Sequence, residues 1–88
     1  MRRPHRHEIQ AAVGLLQRLA SDHGLSNLRH GARAGQIVAD IAEDRSLFDL
    51  VEFELAVEGL VGWRPDVVSS GAPGANPGSV IDAGTRVA

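Results

Sequence analysis

Between Arg6 and His23 the apolar positions Ile9, Ala12, Val13, Leu16, Leu19 and Ala20 recur at steps of three and four. Arg6, Gln10, Gln17 and Arg18 fall elsewhere. That period predicts one amphipathic helix over residues 6–23. Gly24 stands where a helix closes, because glycine enters the left-handed region without a side-chain penalty. Leu25–Arg29 reads as a short strand. His30–Gln36, with two glycines, reads as a loop. Ile37–Ile41 is apolar and partly β-branched and predicts a second strand, with a helical period over Ala34–Glu43 as the alternative. Ser46, with Asp49 three residues on, has the form of a capping box and opens a second helix running to about Val61. Leu47, Leu50, Val51, Leu55, Val57, Leu60 and Val61 give that helix a broad apolar face, and Glu52, Glu54 and Glu58 mark its polar side. Gly62 ends it. Arg64–Ser69 predicts a third strand around Val67 and Val68. From Ser70 the chain is rich in turn formers. Asn76-Pro77 opens a last short helix through Val80 and Ile81, which Gly78 and Gly84 weaken by about 1 kcal/mol each. Residues 70–88 are therefore expected to be a mobile tail or a weak closing helix.

These elements describe one α+β domain over residues 1–88: a small mixed three-stranded sheet packed by two main helices. Phe48, Phe53 and Trp63 are the only aromatic residues, so the core must rest on Leu, Val, Ile and Ala. Such a core in a chain this short leaves a thin margin, and a partner surface, in a homo- or hetero-oligomer, is expected to supply part of the missing burial. The absence of cysteine excludes disulfides, thiolate metal ligands and a cysteine nucleophile. The basic start Met1–Pro4 is followed by an apolar stretch broken by Gln17 and Arg18, which is too short and polar for a signal peptide or a membrane span. A cytoplasmic location is expected, with no membrane partner. A net charge of −2 argues against nucleic acid as a partner, and the Arg2, Arg3 and Arg6 cluster reads as a solvated tail.

Three segments carry a resemblance. Asp22–Arg29 resembles the helix end and first strand of the minimal nucleotidyltransferases, a branch of the DNA polymerase β-like superfamily. Arg45-Ser46-Leu47-Phe48-Asp49-Leu50 with Glu54–Gly62 resembles that family's G-R-S-L-x-D-L … L-E-x-L-L-G helix. Arg64–Val68 resembles its R-x-V-D-V-V strand. Gly71-Ala72, Asn76-Pro77 and Val80-Ile81 resemble a worn copy of its closing helix. The resemblance implies a truncated nucleotidyltransferase-like fold. It also implies an antitoxin role, since many minimal members accompany HEPN-type toxins and some transfer AMP from ATP to the toxin. The family's active site joins G-S-x-A-R-G to a D-x-D pair, whose carboxylates share one face of a strand and hold magnesium ions on a triphosphate. Aligned on the following helix, that D-x-D falls on Ala34-Gly35-Gln36, and the glycine-serine turn shrinks to His30-Gly31-Ala32-Arg33. The expected function is thus a catalytically degenerate partner of a HEPN-type toxin, with no cofactor and no metal. Gly31 and Arg33 remain as weak nucleotide-binding candidates. The alternative is an active enzyme using magnesium and ATP, and it would have to rest on Asp40, Asp44 and Asp66.

Outside that resemblance, His5 and His7 form an H-x-H pair. Asp22, His23 and His30 would join a metal site only where the fold gathers them, and the expectation is solvated or hydrogen-bonded histidines. His30 with Arg29 and Arg33 could make a small basic loop that meets phosphate. Ser69-Ser70-Gly71 lacks a nucleophile-elbow pattern.

Overall fold

A computed structural model describes residues 3–75 and 77–81. The element order is α1 (Arg6–Ala11), α2 (Val13–Asp22), β1 (Leu25–His30), β2 (Gln36–Ile41), α3 (Phe48–Val61) and β3 (Asp66–Ser69). The sheet order is β1-β2-β3, with β1 antiparallel to β2 and β2 parallel to β3. The expected α+β fold with a mixed three-stranded sheet is what the chain forms.

The first helix differs from the expectation in one respect. It breaks at Ala12, whose φ of −97° and ψ of 15° leave the helical region. The Ala12 N–H is shared between the carbonyls of Glu8 and Ile9, which tightens the turn there. The buried positions Ile9, Val13, Leu16 and Ala20 still line up on one side across the break. At the N-terminus of α1 the Glu8 carboxylate accepts the His5 N–H at 2.9 Å, satisfying one orphan donor of the first turn.

Gly24 closes α2 at φ +74° and Gly62 closes α3 at φ +84°, as their places in the sequence predict. The α3 start also follows its pattern: Ser46 Oγ accepts the Phe48 N–H at 3.3 Å, and Asp49 reaches back to the Ser46 N–H at 3.0 Å. The third strand begins at Asp66 rather than Arg64, because Pro65 has no N–H to give a ladder and is packed inside. Glu54 of α3 holds this edge. Its carboxylate accepts the Val67 N–H at 2.8 Å and both Nε and a terminal nitrogen of Arg64 at 3.1 and 2.9 Å.

The helices cover one face of the sheet. Leu25, Leu28, Ile37, Ala39 and Val67 meet Ile9, Leu16, Leu50, Phe53, Val57 and Trp63 there in a single core. Residues 77–81 carry the main correction: no helix forms over them, and the rest of the expected closing helix, residues 82–88, lies outside the described residues. The chain runs extended along the outer edge of β1, with Val80 bridged to Arg29 and the Ile81 N–H donating to the Leu28 carbonyl at 2.9 Å. Ile81 enters the core. The edge of β1 offers unpaired backbone groups, and pairing with them outweighs a helix weakened by two glycines. Near the N-terminus Pro4 is fully buried and lies against Gly35, Arg3 and Arg6 are exposed, and Arg2 lies outside the described residues. No described helix is long and apolar enough to cross a membrane.

Candidate functional site

The sheet face turned away from the helices carries the residues on which nucleotidyl transfer would depend. Asp66 stands opposite Gln36 in the parallel β2–β3 register. Its neighbour across the ladder is therefore a neutral amide, and two carboxylates do not meet there. Asp40 lies four residues further along β2, about 13 Å away at the rise of a strand. Asp44 sits beyond it, in an exposed turn after β2. The fold does not bring Asp40, Asp44 and Asp66 together.

Asp40 has a structural occupation instead. One oxygen accepts from an Arg29 guanidinium nitrogen at 2.7 Å and from the Ser70 hydroxyl at 2.6 Å; the other accepts from the Asn27 amide at 3.1 Å. The hydrogen bonds from Ser70 and Asn27, with the Arg29 charge, hold its carboxyl below the usual carboxylate range despite some opposing desolvation. This network joins β1, β2 and the residue after β3. It also explains Asn27, which takes a left-handed φ of 53° at the bulge between Ser26 and Arg29 and aims its amide at Asp40. Arg29 is thereby committed to this face and does not join His30 and Arg33.

The β1–β2 loop does not offer a backbone cradle. The Gly31 N–H donates to the Gln36 carbonyl at 2.9 Å, and the Ala32 N–H to Gln36 Oε1 at 3.0 Å. A Cβ at Gly31 would collide with the Gln36 side chain. Glycine is thus required at 31 for the Gln36 side chain to lie over it, which is a structural reason independent of any ligand. Arg33 is exposed at the tip of the loop. It lines a cleft of about 180 Å³ together with Arg6, Ile9 and the buried His30.

The histidines separate. His5 and His7 stack on each other with ring centroids 5.6 Å apart. His23 lies edge-on to Phe53, and its ring, with one carboxylate oxygen each from Asp49 and Glu52, forms a group whose donor atoms lie within 4.8 Å of one another. Asp22 and His30 are not part of that group. The Asp49 carboxylate is already engaged by the Ser46 N–H and lies 3.8 Å from Arg45 Nε.

The most pronounced surface feature is α3. Leu50, Phe53 and Val57 face the core, at steps of three and four. Phe48, Val51 and Leu55, at the same steps, and Leu47 one turn before Val51, face outward. At 100° per residue the two sets point roughly 150° apart. Phe48 is 79% exposed and Leu47 67%. Glu52, exposed and four residues from Phe48, and Glu58, half-buried and three from Leu55, flank the stripe on the helix and give the patch an acidic rim. Arg45, just before α3, is turned back to the Asp22 carbonyl at 2.9 Å. The sequence pattern groups Leu47, Val51 and Leu55 with Leu50 and Val57 in one broad apolar face without Phe48, and the structure divides that face in two. The signal was nonetheless present: the apolar positions of this helix fall into two sets of the same period, more than one core-facing stripe can hold.

No family model, no curated protein and no solved structure matches this chain.

Proposed function

We propose that the chain is a non-catalytic protein-interaction module that binds a partner through the outward face of α3. The resemblance of Arg45–Leu50, Glu54–Gly62 and Arg64–Val68 to minimal nucleotidyltransferases makes a HEPN-type toxin the partner, with this chain as the antitoxin-like half. The exposed stripe Leu47, Phe48, Val51 and Leu55 carries the reading. A contiguous apolar patch of this kind on a small domain marks an interaction surface. The four side chains expose about 500 Å², most of what one partner contributes to a standard interface of roughly 800 Å² a side. The acidic rim indicates the chemistry of the other side: an apolar groove bordered by Lys or Arg. A second copy of this chain would set acidic rim against acidic rim, so a different protein fits better.

The separation of Asp40, Asp44 and Asp66, and the amide of Gln36 beside Asp66, support a role without nucleotidyl transfer. Co-expression with a HEPN-type toxin tests the reading. A complex that co-elutes, and that Phe48→Asp disrupts, is the expected result. Separate elution, a self-dimer alone, or label transfer from ATP to the toxin in magnesium would overturn it.

A further inference from the structure

At the opposite end of the domain from the α3 patch, the cleft between α1 and the β1–β2 loop has an unusual wall. Its charged lining is Arg6 and Arg33, and among the described residues no Asp or Glu side chain borders it. His30 also lines it and is only 5% exposed. The His30 backbone is fully used, with its N–H on the Ser79 carbonyl at 2.9 Å and its carbonyl accepting from Gly78 at 2.7 Å. Its imidazole is different: it hydrogen-bonds to no described residue. No described side-chain nitrogen or oxygen is sealed inside without a partner. The ring nitrogens therefore open onto the wall that His30 shares with Arg6.

A nearly buried imidazole without a hydrogen-bond partner among the described residues, on a cleft wall it shares with two guanidinium groups, is an arrangement suited to an anion. Burial first, and then the Arg6 charge, lowers the affinity of His30 for a proton. From α1 the charged or titratable groups beside it are Arg6 and His7, and from the loop Arg33; the residue 78–79 segment presents the Ser79 hydroxyl, which already accepts from Arg6 at 3.0 Å. An anion would reverse this balance by giving both guanidinium groups and the imidazole a common acceptor. The cleft, of about 180 Å³, has room for a tetrahedral oxyanion. The loop amides of Gly31 and Ala32 are already bonded to Gln36, and the cationic and imidazole side chains the cleft offers an anion are Arg6, His30 and Arg33.

We infer that this cleft is a binding site for one phosphate-type oxyanion, held by Arg6, His30 and Arg33. The inference is independent of the α3 reading and would survive its failure.

The test is a titration of the ¹⁵N-labelled chain, followed by amide and imidazole NMR shifts, with inorganic phosphate, sulfate, AMP and ATP as separate ligands. Phosphate and sulfate are expected to give saturable shifts at Arg6, His30 and Arg33, with Kd on the order of 1 mM, as befits a few charge-assisted contacts. Arg33→Gln, at an exposed position that leaves the fold intact, should weaken both at least fivefold, and Arg6→Gln at least tenfold. Sulfate does not titrate between pH 5.5 and 7.5, so its binding should tighten as pH falls across that range while the imidazole takes up a proton. Phosphate and sulfate binding with similar strength to AMP would identify the free oxyanion as sufficient. ATP or AMP binding where phosphate and sulfate do not would overturn the inference in favour of nucleotide recognition. Non-saturating shifts spread over other surface arginines, or shifts that Arg33→Gln leaves unchanged, would also overturn it.

Discussion

The two phenylalanines of α3 lie five residues apart on one helix and should respond in opposite ways to truncation. Phe48 is 79% exposed, so folding removes only about a fifth of its surface, roughly 45 Å². At about 25 cal/mol per Å² that burial contributes about 1 kcal/mol. Serine and phenylalanine have similar helix propensities, so Phe48→Ser adds no helix penalty of note. Phe53 is fully buried, between the sheet and the other helices. Phe53→Ala removes that burial and leaves a cavity, a change that costs about 3–5 kcal/mol. A domain of this length has a total stability of roughly 4–13 kcal/mol. Thermal unfolding followed by circular dichroism should therefore show Phe48→Ser melting within about 5 °C of the wild type, and Phe53→Ala lower by 15 °C or more.

Binding should rank the same two positions the other way. An aromatic side chain at the centre of an interface typically contributes 2 kcal/mol or more, so Phe48→Ser should weaken partner binding by about 30-fold in calorimetry. If Phe48→Ser lowered the melting temperature as far as Phe53→Ala, the outward stripe would be packed in solution and the surface argument would fail. If it melted normally and bound the partner with unchanged affinity, α3 would not be the contact.

Other perturbations follow from single contacts. Gly24→Ala forces a side chain into a left-handed turn and onto Arg45, which would have to release the Asp22 carbonyl; a loss of about 1–2 kcal/mol in urea unfolding is expected. Glu54→Ala removes the acceptor for the Val67 N–H and the partner of Arg64, and should cost about 2 kcal/mol, with hydrogen exchange rising first in β3. His30 binds protons less readily when folded than when unfolded, so in an oxyanion-free buffer stability should fall as pH drops from about 6.5 toward the folded value and level off below it; His30→Asn should flatten that slope. Asp40 has the acid-side counterpart: its lowered folded pKa stabilises the fold above about pH 4, and that contribution should disappear on further acidification and be absent in Asp40→Asn.

What could be read ahead of the structure was whatever depends on neighbours in sequence. Gly24 and Gly62 end helices because a left-handed residue is a local requirement, and Ser46 with Asp49 caps α3 because both partners lie within one turn. The short, apolar and partly β-branched run Ile37–Ile41 points to β2, and the mixed sheet follows from a tight β1–β2 connection and a helix between β2 and β3. The break at Ala12 and the start of β3 at Asp66 are local departures; the larger ones involve partners distant in sequence. The last residues were weighed as a helix on their own glycines, whereas the deciding term is the open edge of β1 some fifty residues earlier, which takes Val80 and Ile81 as extended chain. His30 was grouped with Arg29 by adjacency. The pleat of β1 sends Arg29 across the sheet to Asp40 and leaves His30 facing Arg6, which comes from the other end of the chain. The apolar residues of α3 read as one broad apolar face, because a sequence pattern does not say how many faces of a helix the core can reach. A three-stranded sheet is narrow and covers one side of α3 only. The surplus on the other side is therefore not an error of folding but material for a second surface, and that is why the functional argument rests on residues that the domain does not need for its own stability.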